Sequence, residues 1–134
     1  MTLGMQLIIL VTILALLVYL WTGFKVAGAR VKYGIKAPAT TGNADFERVL
    51  RVQYNTLEQI VLFLPSLWLF QMLAGGVWGG AIGIFWPLGR IIYAISYYKA
   101  AEKRGPGFLL AILSTLVLLI GALVMLVVID IKGY

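Results

Sequence analysis

Cysteine and histidine are both missing from the 134 residues. Without cysteine there is no disulfide and no protein thiol nucleophile. Without histidine there is no imidazole acid–base chemistry and no ordinary zinc or haem site, so no metal is expected. Acids are scarce too, with five Asp and Glu against eleven Lys and Arg. Charged residues make up only 12% of the chain, about half the share in soluble domains. Any thiol chemistry on this chain needs a thiol carried in by a substrate.

What fills the chain instead is apolar: 62% of it is hydrophobic and the mean hydropathy is +0.98. This is the composition of an integral membrane protein, and four stretches are long enough to span. We expect one all-α membrane domain over residues 1–134, a four-helix transmembrane bundle with helices at about 3–26, 45–73, 77–102 and 106–131. Leu3 to Phe24 has no charged residue and no basic leader, so it reads as a membrane helix and not as a cleaved signal. Pro65 and Pro87 predict kinks in the second and third spans. Gly75, Gly79 and Gly83 at four-residue spacing predict close helix contact, and Trp21, Trp68 and Trp78 near span ends fit an interfacial belt.

Charge sets the orientation. All Lys and Arg except Lys132 lie in the first loop, the third loop or the turns feeding them, and the second loop has none. The positive-inside rule then places loops one and three in the cytoplasm, in a bacterial inner membrane or the endoplasmic reticulum. The net charge of +6 suits an anionic membrane surface and not nucleic acid, because it sits between apolar segments.

The second span carries polar residues where lipid would exclude them. Asp45 is expected to cap the helix, with Asp45 and Glu47 favourable at its dipole. At about 100° per residue, Arg48, Arg51, Asn55 and Glu58 fall within one stripe, roughly 80° wide. Asn55 and Glu58 lie too far along to stay in the interface, and intramembrane polar groups mark either a functional site or a network tying helices together. On the third span Arg90, Tyr93 and Tyr97 share a face, and Arg104 would join it if the helix ran that far. On chemistry alone a Glu58–Arg90 ion pair, with the tyrosines as interfacial aromatics, is the simpler account.

The segment FERVLRVQYNTLEQ resembles the helix-two signature of the MAPEG family, membrane-associated proteins in eicosanoid and glutathione metabolism. The family pattern E-R-x-x-R-x-x-x-N-x-x-E-x-x-P is matched by Glu47, Arg48, Arg51, Asn55 and Glu58, with Val61 in place of the proline. A gap-free similarity runs from about Arg30 to Arg104. The resemblance implies a glutathione transferase acting on lipophilic electrophiles from the bilayer, a detoxifying activity, with reduction of lipid hydroperoxides also open to it. It implies glutathione as co-substrate, membrane lipids as surroundings and a homotrimer with glutathione at each subunit interface. It assigns glutathione binding to Arg30, Arg51, Gln53, Asn55, Glu58, Arg90, Tyr93 and Tyr97, thiol activation to Arg104, and supporting positions to Arg48 and Glu47. Two alternatives stand beside it. One is a lipid-binding family member without catalysis, although such a member has lost glutathione residues that this chain keeps. The other is a small four-helix drug exporter, which would need a glutamate in the first helix. The chain departs from the family's leukotriene-forming members at Val31, where they have a second arginine, and at Gln59, where they have a tyrosine.

The charge asymmetry generates a first prediction. In a chain without native cysteine, single cysteines at Lys36 and Lys103 should react with an impermeant maleimide from the cytoplasmic side only, and one at Gly76 from the opposite side only. Cytoplasmic labelling at position 76 contradicts the orientation.

Overall fold

A computed structural model describes residues 1–133. Helix α1 spans Leu3–Tyr33 and α2 spans Ala44–Ala74. The third span, Trp78–Lys99, is made of two pieces, α3 (Trp78–Gly83) and α4 (Phe85–Lys99). A 3-10 turn, Ala101–Arg104, leads into α5, Gly105–Lys132. All four spans are long and apolar enough to cross a bilayer, and the chain is a four-helix integral membrane bundle.

Several helix ends differ from expectation, each for a local reason. Helix α1 continues past the apolar stretch to Tyr33, so Arg30 and Lys32 stand in its last turn, where the dipole favours cations. Gly34 stops it in the left-handed region, at φ 66°, which costs glycine nothing. At the start of α2 the cap is Asn43 and not Asp45: its Oδ1 accepts from the backbone N–H groups of Asp45 and Phe46, at 2.9 and 3.0 Å. Asp45 and Glu47 then occupy the first turn. Helix α2 is unbroken through Pro65. The third span breaks at Ile84, immediately after Gly83, the carbonyl that Pro87 cannot satisfy.

The core is set by the half of the bundle away from loops one and three. Ile8, Val11 and Ala15 of α1 meet Ile60, Phe63 and Leu67 of α2, Trp86 of α4 and Ala111 and Leu118 of α5. Trp86 lies flat on Phe63, with ring centroids 4.7 Å apart and planes 7° apart. Trp68 is no belt residue: its indole N–H donates to Thr12 Oγ1 at 3.1 Å and clips α2 to α1. Gly79 and Gly83 meet α1 and α2 side chains as their spacing suggested, whereas Gly75 faces open space and turns the loop at φ 65°. The large side chains left outside, among them Leu16, Leu20, Leu109, Leu116 and Ile120, form the lipid-facing surface that a bilayer solvent permits.

Below the core, α4 and α5 approach to backbone contact. A Cβ on Gly89 would sit 2.7 Å from the Ala111 nitrogen, and one on Gly107 would collide with the Tyr93 backbone. Gly107 lies inside the first turn of α5 as this contact point. Gly107→Val should therefore force the helices apart, lowering stability by about 3 kcal/mol or more, beyond ordinary overpacking because backbone is in the way. Gly28→Ala, with nothing within 4 Å, should be neutral or stabilising by up to about 1 kcal/mol. Thermal unfolding in detergent reads both. A Gly107→Val protein as stable as wild type contradicts the packing.

Candidate functional site

The site begins with a buried charge. Arg90 is fully buried, projecting from α4 toward α2. Its Nη1 donates to Asn55 Oδ1 at 3.0 Å and its Nη2 to Thr56 Oγ1 at 2.7 Å. The Thr56 hydroxyl passes its own proton to the Val52 carbonyl at 2.7 Å, so both its capacities are used. The guanidinium carbon lies 3.9 Å from the centroid of the Tyr93 ring, a cation–π contact that is strong out of water. Arg90 Nε has no hydrogen-bond partner.

The expected Glu58–Arg90 ion pair does not form. Among the described residues the one ion pair joins Arg48 to Asp45 at the start of α2. Glu58 is exposed on the bundle, and its carboxylate accepts only a long 3.5 Å bond from Asn55 Nδ2. Glu58 stands about 21 Å along α2 from Ala44, so within the chain its charge is unmatched at membrane depth.

Toward the end carrying loops one and three, a cleft of about 610 Å³ opens between α2 and the end of α4. Glu47, Arg48, Arg51 and Tyr54 line it from α2, Tyr97 from α4, and Thr40 and Ala101 close its rim. Tyr93 and Tyr97 rings lie 5.5 Å apart, linking the cleft wall to the buried Arg90. Arg104 does not ride on the helix. Ala100 turns extended, at φ −162°, and the 3-10 turn carries Arg104 back so that its guanidinium lies 5.8 Å from the Tyr97 ring centroid. Its Nη1 donates to the Ala101 carbonyl at 2.7 Å.

Two expected residues lie elsewhere. Arg30 Nη1 donates to the Ala39 carbonyl at 2.8 Å, and its guanidinium packs over Phe46 at 5.0 Å, fastening the first loop. Gln53 points from the other side of α2 toward Gly23 of α1, whose Cβ would stand 3.4 Å from its Nε2. The structure thus gathers Glu47, Arg48, Arg51, Asn55, Glu58, Arg90, Tyr93, Tyr97 and Arg104 in one region and leaves Arg30 and Gln53 out of it. Thr56 and Tyr54 join the region without having been singled out. A threonine in an apolar helix usually bonds its own backbone, so only its position beside Asn55 hinted at a partner.

The MAPEG family model matches residues 8–124. An uncharacterized protein of Synechocystis is 56% identical over 114 residues, 85% of this chain and 83% of its own. Human microsomal glutathione S-transferase 2 is 38% identical over 100 residues, covering 74% of this chain and 68% of its own. Rat leukotriene C4 synthase is 32% identical over 94 residues, 70% of this chain and 63% of its own.

The Arg90 network yields a stability prediction. Thr56→Val keeps the shape but removes the acceptor of Arg90 Nη2, so unfolding stability should fall by about 1–3 kcal/mol. Glu58→Gln, which removes a charge left unmatched at membrane depth, should leave it unchanged or raise it. Chemical or thermal unfolding checks both, and a Thr56→Val protein of unchanged stability contradicts the network.

Proposed function

The chain belongs to the MAPEG family, and from that premise we propose that it is a membrane glutathione transferase, joining the glutathione thiolate to lipophilic electrophiles. The observation that carries the reading is the cleft of arginines and tyrosines braced on buried Arg90, with an unmatched carboxylate, Glu58, on the same helix.

Glutathione carries two carboxylates, one ammonium and a thiol. Planar guanidinium forks suit the carboxylates, and Arg51, which lines the cleft, is available for that task, with Arg48 in a supporting position. Glu58 suits the ammonium, and its cost in the membrane is offset only when a cation arrives. Asn55 is held by Arg90 with its amide turned toward Glu58, so in this reading Arg90 acts largely as a positioning residue. Tyr93 and Tyr97 provide the wall and a hydroxyl for the peptide groups.

The thiol must ionise before it attacks. A free thiol has a pKa of about 8.5, so about 3% is thiolate at pH 7. In a chain without histidine a guanidinium can favour the anion, and the family resemblance points to Arg104, which lies over Tyr97. The thiolate then bonds to the electrophilic carbon, and the leaving group or opened oxygen takes the electron pair. Reduction of lipid hydroperoxides would use the same thiolate.

Arg30 and Gln53 belong to this reading only if they come from another copy of the chain. They lie away from the cleft, and the family resemblance supports a homotrimer with glutathione between subunits. For substrate, Val31 is 86% exposed and offers no cation, and Gln59 offers no phenol. Both favour small lipophilic electrophiles over a leukotriene epoxide.

Arg104→Ala should leave glutathione bound while turnover at pH 7 falls about 10- to 100-fold, recovering as pH rises past about 8.5 where the thiol ionises unaided. Ultraviolet thiolate absorbance on mixing, read beside steady-state rates, checks it. Wild-type rates at neutral pH refute the role of Arg104. Across a small aryl halide, a lipid hydroperoxide and a leukotriene epoxide, catalytic efficiency should favour the first two. A tenfold preference for the epoxide refutes the substrate class.

A further inference from the structure

A second pocket lies on the same end of the bundle, on the other side of Arg48. It measures about 530 Å³ and sits between α1, α2 and the end of α4. Its polar wall is made by Lys25 and Lys32 of α1, Arg48 and Asp45 of α2, Tyr33 and Tyr98. Asp45 is taken by Arg48. Neither lysine has a carboxylate partner among the described residues. Lys25 Nζ rests 5.9 Å from the Trp21 ring centroid and Lys32 Nζ 5.3 Å from that of Tyr33. Two buried polar atoms at this wall, Arg48 Nε and the Tyr98 hydroxyl, have no hydrogen-bond partner. Such a pocket has donors to give and a net positive charge.

Directly deeper in the membrane is an apolar groove of about 280 Å³, formed by Leu14, Leu17, Val18 and Trp21 of α1 and Ile91 of α4. Trp21 and Tyr98 meet edge to face at 6.1 Å, making the seam between pocket and groove. Leu14, Leu17, Val18, Trp21, Lys25, Gly28 and Lys32 fall within about 100° of the helix circumference, so one stripe of α1 is apolar in its first half and basic in its second. Arg30 lies roughly 170° round the helix from the centre of this stripe, and Arg48 alone lines both this pocket and the cleft. From Leu14 to Lys25 is about 16 Å along the axis, a large part of an acyl chain.

We infer that this pocket and groove form a binding site for an anionic phospholipid, the phosphate between Lys25 and Lys32 and one acyl chain along Leu14, Leu17 and Ile91. Interhelical basic pockets at the cytoplasmic face recognise anionic headgroups in this way. The apolar groove on the same face of α1 selects a lipid over a soluble phosphate, and the lysines select an anionic lipid over a zwitterionic one. The site does not depend on the transferase reading.

Native mass spectrometry of the purified full-length protein with matched-chain phosphatidylglycerol or phosphatidylcholine tests it. Phosphatidylglycerol should be retained at least tenfold better. Lys25→Gln with Lys32→Gln should weaken that retention about 30-fold, at about fivefold per lysine. Leu17→Trp, which fills the groove and leaves both cations, should also release the lipid. Inorganic phosphate in about a hundredfold excess should not displace it. Equal retention of the two lipids, retention unchanged in either variant, or displacement by inorganic phosphate overturns the inference.

Discussion

A guanidinium enclosed by helices at membrane depth must be met by acceptors, or the bundle cannot hold it. Arg90 is met by the Asn55 amide, the Thr56 hydroxyl and the face of Tyr93. That requirement fixes α4 against α2 at one height and one rotation. It also decides how the rest of the polar stripe is presented. With Asn55 turned to Arg90, Glu58 is left outward and unmatched, and Arg51 lies one turn closer to the cleft mouth. The cleft is the outer face of a network whose inner face is structural.

The two halves of the bundle hold themselves differently. The half away from the basic loops is packed on Phe63 and Trp86, with glycines bringing the short α3 against α1 and α2. The half with the basic loops holds its residues through hydrogen bonds and stacked rings, around Arg90, Tyr93 and Tyr97. Backbone contact between Gly89, Gly107 and Tyr93 joins α4 to α5 where the chain leaves for the Arg104 turn. Dry packing on one side thus leaves the other free to carry charge.

Much of this could be read from residues in a row. The four spans are legible because an apolar stretch of helical length has few other uses, and the stripe from Arg48 to Glu58 follows from helical period alone. Partners were not legible. A Glu–Arg pair was the simpler expectation for Glu58 and Arg90, yet neutral Asn55 and Thr56 take the guanidinium, because their rotation about α2 brings them nearer. Asn43 displaces Asp45 as cap because the helix begins at Ala44, two residues before the start that a cap at Asp45 implies. Trp68 reads as a belt residue until Thr12 is found opposite it. Periodicity reports which face a residue occupies, and only the packed bundle reports what stands across from it.

The division of the assigned residues into a cleft group and the distant pair Arg30 and Gln53 gives the transferase reading its sharpest consequence. A catalytic unit completed by a neighbouring copy should be restored by mixing two defective chains. Trimers assembled by co-expressing Arg104→Ala with a chain bearing Arg30→Ala and Gln53→Ala, isolated by two tags, would each hold one intact site. Cyclic symmetry then predicts about one third of the wild-type conjugation rate, from parents that are each nearly inactive alone. Mixed assemblies no more active than the better parent would contradict a shared glutathione site.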